Sequence, residues 1–112
     1  MYQNSLKTEN FLEVTYKLMQ KKVHRLVQIE KSKKRGKLPL PLIKEKFEIT
    51  SKILSALREL INVCRDNNLI DLLNDIGILI SQGNIASTTE QALQKYDVAL
   101  AVLNSFLFSL QD

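Results

Sequence analysis

This 112-residue chain has no tryptophan, a single cysteine and few aromatic residues, which make up 6% of it. With Cys64 alone no internal disulfide can form, a usage that fits a reducing compartment. With so few aromatics, any core must be mainly aliphatic. Long apolar runs are missing too. The opening Met1 to Lys7 lacks the apolar stretch of a signal peptide. The most apolar window, Val98 to Leu110, spans 13 residues and is interrupted by Asn104, Ser105 and Ser109. A membrane-spanning helix takes about 20 residues, so the window predicts a core helix and the chain is expected in the cytoplasm.

Chemical motifs are equally sparse. There is no Walker-type loop, nucleotide-binding fingerprint or serine nucleophile motif. His24 is the sole histidine, and no pair of residues has metal-ligand spacing. Asp71 and Asp75 can share a helix face, but that spacing specifies neither a metal nor a hydrolase. The expectation is a noncatalytic protein without cofactor or metal.

What the chain does have is a strong charge asymmetry and helical periodicity. Residues 1–37 carry 10 Lys and Arg against 3 Asp and Glu, and residues 38–112 carry 6 against 9, which sums to the net +4. Lys31, Lys33, Lys34, Arg35 and Lys37 form the densest part of this basic surface. Such a local field can steer a protein to an anionic membrane surface, a nucleic acid or an acidic partner. At 45% hydrophobic and 25% charged residues, the chain has the composition of one globular domain.

Four amphipathic segments are predicted, near residues 9–33, 41–65, 68–82 and 88–110. In the first, Leu12, Tyr16, Met19, Val23 and Leu26 recur at alternating steps of four and three, with Thr8 as the expected N-cap. The left-handed tolerance of Gly36 and the ring constraints of Pro39 and Pro41 should end it, and Pro41 suits the first turn of the next. The second should bury Ile43, Phe47, Thr50, Leu54, Leu57, Ile61 and Cys64, with Ile53 and Leu60 broadening the stripe. Thr50, the polar interruption, is expected to bond to its own helix backbone.

Asn68 with Asp71, and Ser87 with Glu90, have capping-box spacing and predict the last two helix starts. The third helix should bury Leu69, Leu72, Leu73, Ile76, Leu79 and Ile80, admit a close neighbour at Gly77, and exit through a left-handed Gly83. The fourth should bury Leu93, Tyr96, Leu100, Leu103, Leu107 and Leu110, flanked by Ala92, Ala99 and Phe106. Val98, Val102 and Phe108 leave it with surplus apolar surface for a partner or a dimer. The fold class is therefore an all-α, single-domain, antiparallel four-helix bundle.

One family resemblance is carried by the carboxyl-terminal third. Asp75-Ile76, Ile80-Ser81-Gln82-Gly83-Asn84-Ile85 and Gln94-Lys95-Tyr96-Asp97-Val98-Ala99 resemble the last helical hairpin of immunity proteins against class IIa, pediocin-like bacteriocins, nearest the carnobacteriocin-type branch. The resemblance implies a cytosolic four-helix protein of a Gram-positive bacterium, acting peripherally at the inner membrane face. Its implied partner is the mannose phosphotransferase permease with bacteriocin bound. It further implies that recognition lies within Ile80 to Leu110, with Asn84, Ile85, Tyr96 and Phe108 as candidate partner-binding residues. The family commonly has an irregular tail after the last helix, where this sequence has only Gln111-Asp112. Met1-Tyr2-Gln3-Asn4 is similar to the opening of flagellin export chaperones, which implies a competing chaperone reading. The different-class alternative is a basic helical nucleic-acid-binding or regulatory adaptor, its phosphate contacts made by Lys17, Lys21, Lys22, Arg25 and the 31–37 cluster. Neither the bacteriocin nor the oligomeric state is specified by these residues.

Overall fold

The computed structural model describes the backbone from Tyr2 to Leu110 and the side chains from Asn10 to Leu110. Four helices, α1 (Tyr2–Lys31), α2 (Leu40–Val63), α3 (Asn67–Asn84) and α4 (Thr89–Leu110), form an all-α bundle of 54 × 23 × 22 Å. Helix α1 starts at Tyr2, ahead of the expected Glu9, so Thr8 lies inside the helix; its side chain falls outside the described residues. Each helix packs on its sequence neighbours, and α1 and α4 close the ring. Tyr16 stacks obliquely on Phe106 and Gln20 bonds to Asn104, contacts that run α1 and α4 in opposite directions.

The core is aliphatic around two tyrosines. Tyr16, Met19, Val23, Leu26 and Ile29 of α1 meet Leu73, Ile76 and Ile80 of α3 and Ala92, Tyr96, Ala99, Leu100, Leu103 and Phe106 of α4. Ala92 and Ala99 let α4 sit close to its neighbours, and α4 accordingly packs tightly on both α1 and α3.

Helix α2 departs from the expected register. Its buried face is Ile49, Ile53, Leu57 and Leu60, while Phe47 is 70% exposed and Ile43 lies at the surface. Phe47 and Ile49 are two residues apart, hence about 160° apart around the helix. Ile53, Leu57 and Leu60 of the expected stripe are buried, and toward the start of the helix Ile49 takes the inward place expected of Ile43 and Phe47. The α2 start turns Lys46 and Thr50 inward instead, where both bond to Asn84. Thr50 thus takes its partner from another helix rather than from its own backbone.

The helix ends also differ in detail. Pro39 is the N-cap of α2, and proline occupies the first turn at Pro41. Asp66, not Asn68, caps α3, its carboxylate accepting from the backbone N–H groups of Asn68 and Leu69. Thr88, not Ser87, caps α4 by accepting from the N–H of Gln91. Gly83 is not a left-handed exit; it is a buried residue of α3, and Gly36 is the glycine with positive φ among the described residues.

Candidate functional site

The basic segment after α1 is an ordered turn. Lys34 and Lys37 exchange backbone hydrogen bonds of 3.0 and 3.1 Å, and Arg35 and Gly36 between them have φ of 56° and 75°. Two successive positive φ values define a type I′ hairpin turn, a geometry that favours glycine at the second position and strains arginine at the first. Lys31, Lys34, Arg35 and Lys37 consequently face solvent. Lys33 is different: its ammonium turns back to lie 2.8 Å from Oε1 of Glu30.

Glu30 belongs to a polar cluster to which every helix contributes. Its carboxylate is 1% exposed, and neither oxygen has a partner in hydrogen-bonding geometry, although the Lys33 ammonium supplies the countercharge. The Tyr96 hydroxyl donates to Oδ1 of Asn84 at 2.6 Å, and Nδ2 of Asn84 donates to the Thr50 hydroxyl at 2.8 Å. The Lys46 ammonium donates to the Asn84 carbonyl at 3.2 Å. Burial, reinforced by the Glu30 charge, pushes the Tyr96 phenol well above its ordinary range. Burial and the neighbouring Lys33 lower the Lys46 ammonium, and Glu30 opposes that shift. The periodicity carried a sign of this: the alternating series Tyr16, Met19, Val23, Leu26 continues at the next step of four to Glu30. Lys46 gave no such signal.

The four candidate recognition residues do not form one patch. Tyr96 is fully buried and Asn84 half-buried, both engaged in the cluster, whereas Ile85 is 83% exposed. Phe108 is also exposed, but the helical rise from Thr89 to Phe108 places it about 28 Å along α4 from the Ile85 end. Ile85 borders a shallow groove with Gln82, Ser87, Gln91, Gln94 and Lys95, a surface rich in amide donors and acceptors. Around Phe108 the lining is smaller: Ala101, Asn104, Ser105 and Ser109.

Other reactive side chains stand apart. His24 is exposed on the outer face of α1, and Asp71 and Asp75 are exposed on α3. Cys64, expected in the core, is instead the half-buried C-cap of α2, its thiol 3.6 Å from the Asp66 carbonyl. Among the described residues no group of three or more His, Cys, Asp or Glu is placed to hold a metal ion, and no helix is long and apolar enough to cross a membrane. The chain matches no protein-family model, no curated protein and no solved structure.

Proposed function

We propose that this chain is a noncatalytic binding protein that confers immunity to a pediocin-like bacteriocin by associating, at the cytoplasmic face of the membrane, with the bacteriocin-bound mannose phosphotransferase permease. The observation that carries the reading is Ile85, 83% exposed on the α3–α4 connection beside a groove of amide side chains. An apolar residue surrounded by hydrogen-bonding groups is the make-up of a protein-recognition spot. The groove falls inside the Asp75–Ala99 stretch that resembles the immunity proteins, and the four-helix architecture agrees with the same family. Specificity is assigned to Ile80 to Leu110, with Ile85 and Phe108 contacting partners and Asn84 and Tyr96 holding the α3–α4 corner in shape.

The test is survival of a sensitive strain expressing the chain, challenged with a panel of pediocin-like bacteriocins. Protection against at least one member is expected, reduced about tenfold or more by Ile85→Gln. Exchange of residues 80–110 with a relative's segment should transfer the specificity. Lack of protection across the panel, with the protein folded and expressed, would reject immunity.

A second reading rests on the four outward cations Lys31, Lys34, Arg35 and Lys37, which form no ion pair among the described residues and suit phosphates. It predicts salt-sensitive binding to random DNA or RNA. No affinity at about 50 mM salt, where counterion release is strongly favourable, would remove it.

A further inference from the structure

The two connections 32–39 and 85–88 lie at one end of the bundle, because Lys46 and Thr50 at the start of α2 bond to Asn84 at the end of α3. This end carries both the basic turn and the apolar residues that the register of α2 turns outward. Leu40 is 62% exposed, Ile43 36% and Phe47 70%, and their spacing of three and four places them on one stripe. Lys44 is exposed on the same stripe. Lys34, Arg35, Lys37 and Lys44 take part in no ion pair among the described residues. Glu45 is tied to Arg25, so Glu48 is the acidic side chain of these first turns of α2 left facing solvent.

We propose that this end of the bundle docks on an anionic lipid surface, with Lys34, Arg35 and Lys37 meeting headgroup phosphates and Leu40, Ile43 and Phe47 entering the boundary between headgroups and acyl chains. Cations beside exposed apolar side chains are the two components of interfacial binding, each weak alone. The apolar side chains project outward from a convex helix face, and a lipid interface deforms around such projections, whereas a protein partner would need a matching concave seat. The paired backbone bonds of Lys34 and Lys37 hold the cations on a fixed turn beside the stripe. The docking surface stands on its own residues, separate from the Ile85 groove, so it survives or fails independently of immunity.

The absence of tryptophan makes Phe47→Trp an unambiguous reporter at an exposed position. The full chain is mixed with phosphatidylcholine vesicles with and without about 30% phosphatidylserine, and partition is read by flotation and by emission. Binding to the anionic vesicles alone, a blue shift of the reporter and weakening with salt are expected. Neutralising Lys34, Arg35 and Lys37 to Gln should lower the partition constant about a hundredfold. Leu40→Ser, Ile43→Ser and Phe47→Ser together should lower it about tenfold or more, with helicity checked by circular dichroism. The control, Lys21→Gln with Lys22→Gln on α1, should change it little. No partition at low salt, an unshifted reporter, or an equal loss in the control would overturn the proposal. Binding to polyglutamate without vesicle partition would also overturn it, in favour of an acidic protein.

Discussion

Two glycines of the same helix face opposite constraints. A Cβ at Gly83 would sit 2.5 Å from Cε1 of Tyr96, a ring that is fully buried and hydrogen-bonded and has nowhere to go. A Cβ at Gly77 would meet Leu57 and Leu54 at 3.5 and 3.6 Å, ordinary packing distances. Gly83→Ala should therefore cost about 1–3 kcal/mol through overpacking. Gly77→Ala should gain up to about 1 kcal/mol from helix propensity. Urea denaturation of the two variants checks the signs; a stabilised Gly83→Ala would mean that the Tyr96 ring is less firmly held than its contacts indicate. Gly77 looks from the sequence like the site of close approach and Gly83 like a helix exit, yet the close approach is at Gly83. Spacing to Tyr96, thirteen residues later across a loop, is a tertiary quantity.

At the scale of elements, α2 is tied to α1 by a fork. Nε of Arg25 donates to Oε2 of Glu45 at 2.6 Å and an outer nitrogen donates to Oε1 at 2.8 Å. The Arg25 hydrogen bond holds the Glu45 carboxyl below its ordinary value of 4.5, against a smaller opposing effect of desolvation. The unfolded chain thus takes up this proton more readily than the folded one. The pair's contribution is fully present above about pH 4.5 and is lost as the pH falls through the lower folded value. Glu45→Gln should flatten that part of the acid limb in a pH series of thermal melts, with little change at pH 7 beyond the modest worth of an exposed pair. Arg25→Lys should resemble it, because an ammonium cannot make the two-pronged contact. An acid limb unchanged in both variants would show that the fork does not couple α1 to α2 in solution.

For the molecule as a whole, the buried Glu30 is the costly feature. It places a carboxylate in the interior near the carboxyl end of α1, where the helix dipole disfavours negative charge. Lys33 compensates it directly, and the Lys46 ammonium adds a weaker attraction from farther away. Removing the countercharge with Lys33→Met should destabilise the bundle by about 3 kcal/mol, because an uncompensated buried charge remains. Glu30→Met with Lys33→Met should recover most of that loss or exceed the wild type. Urea titrations of the single and double variants form the deciding cycle. Additivity of the two substitutions would mean that the two charges do not interact.

The sequence by itself determined the class of this protein. Four amphipathic stretches, broken at Ser32–Pro39, Cys64–Asp66 and Ile85–Thr88, can satisfy their apolar faces only by packing together, and the α1 stripe of Tyr16, Met19, Val23 and Leu26 is readable residue by residue. The solvent-facing cations of the 31–37 segment are legible in the same way, since charge of that density stays hydrated unless paired. Tertiary structure decided the rest. Near the start of α2 the apolar residues fall on two separate faces, Leu40, Ile43 and Phe47 on one and Leu42 and Ile49 on the other, so periodicity alone leaves its rotation open; the rotation that buries Ile49 and bonds Lys46 and Thr50 to Asn84 exposes Phe47. Tyr96 and Ile85 lie eleven positions apart in sequence, yet packing against Gly83 takes one into the core while the short α3–α4 connection leaves the other in solvent. Local spacing fixes which residues share a helix face, and only the neighbouring helices fix where that face points.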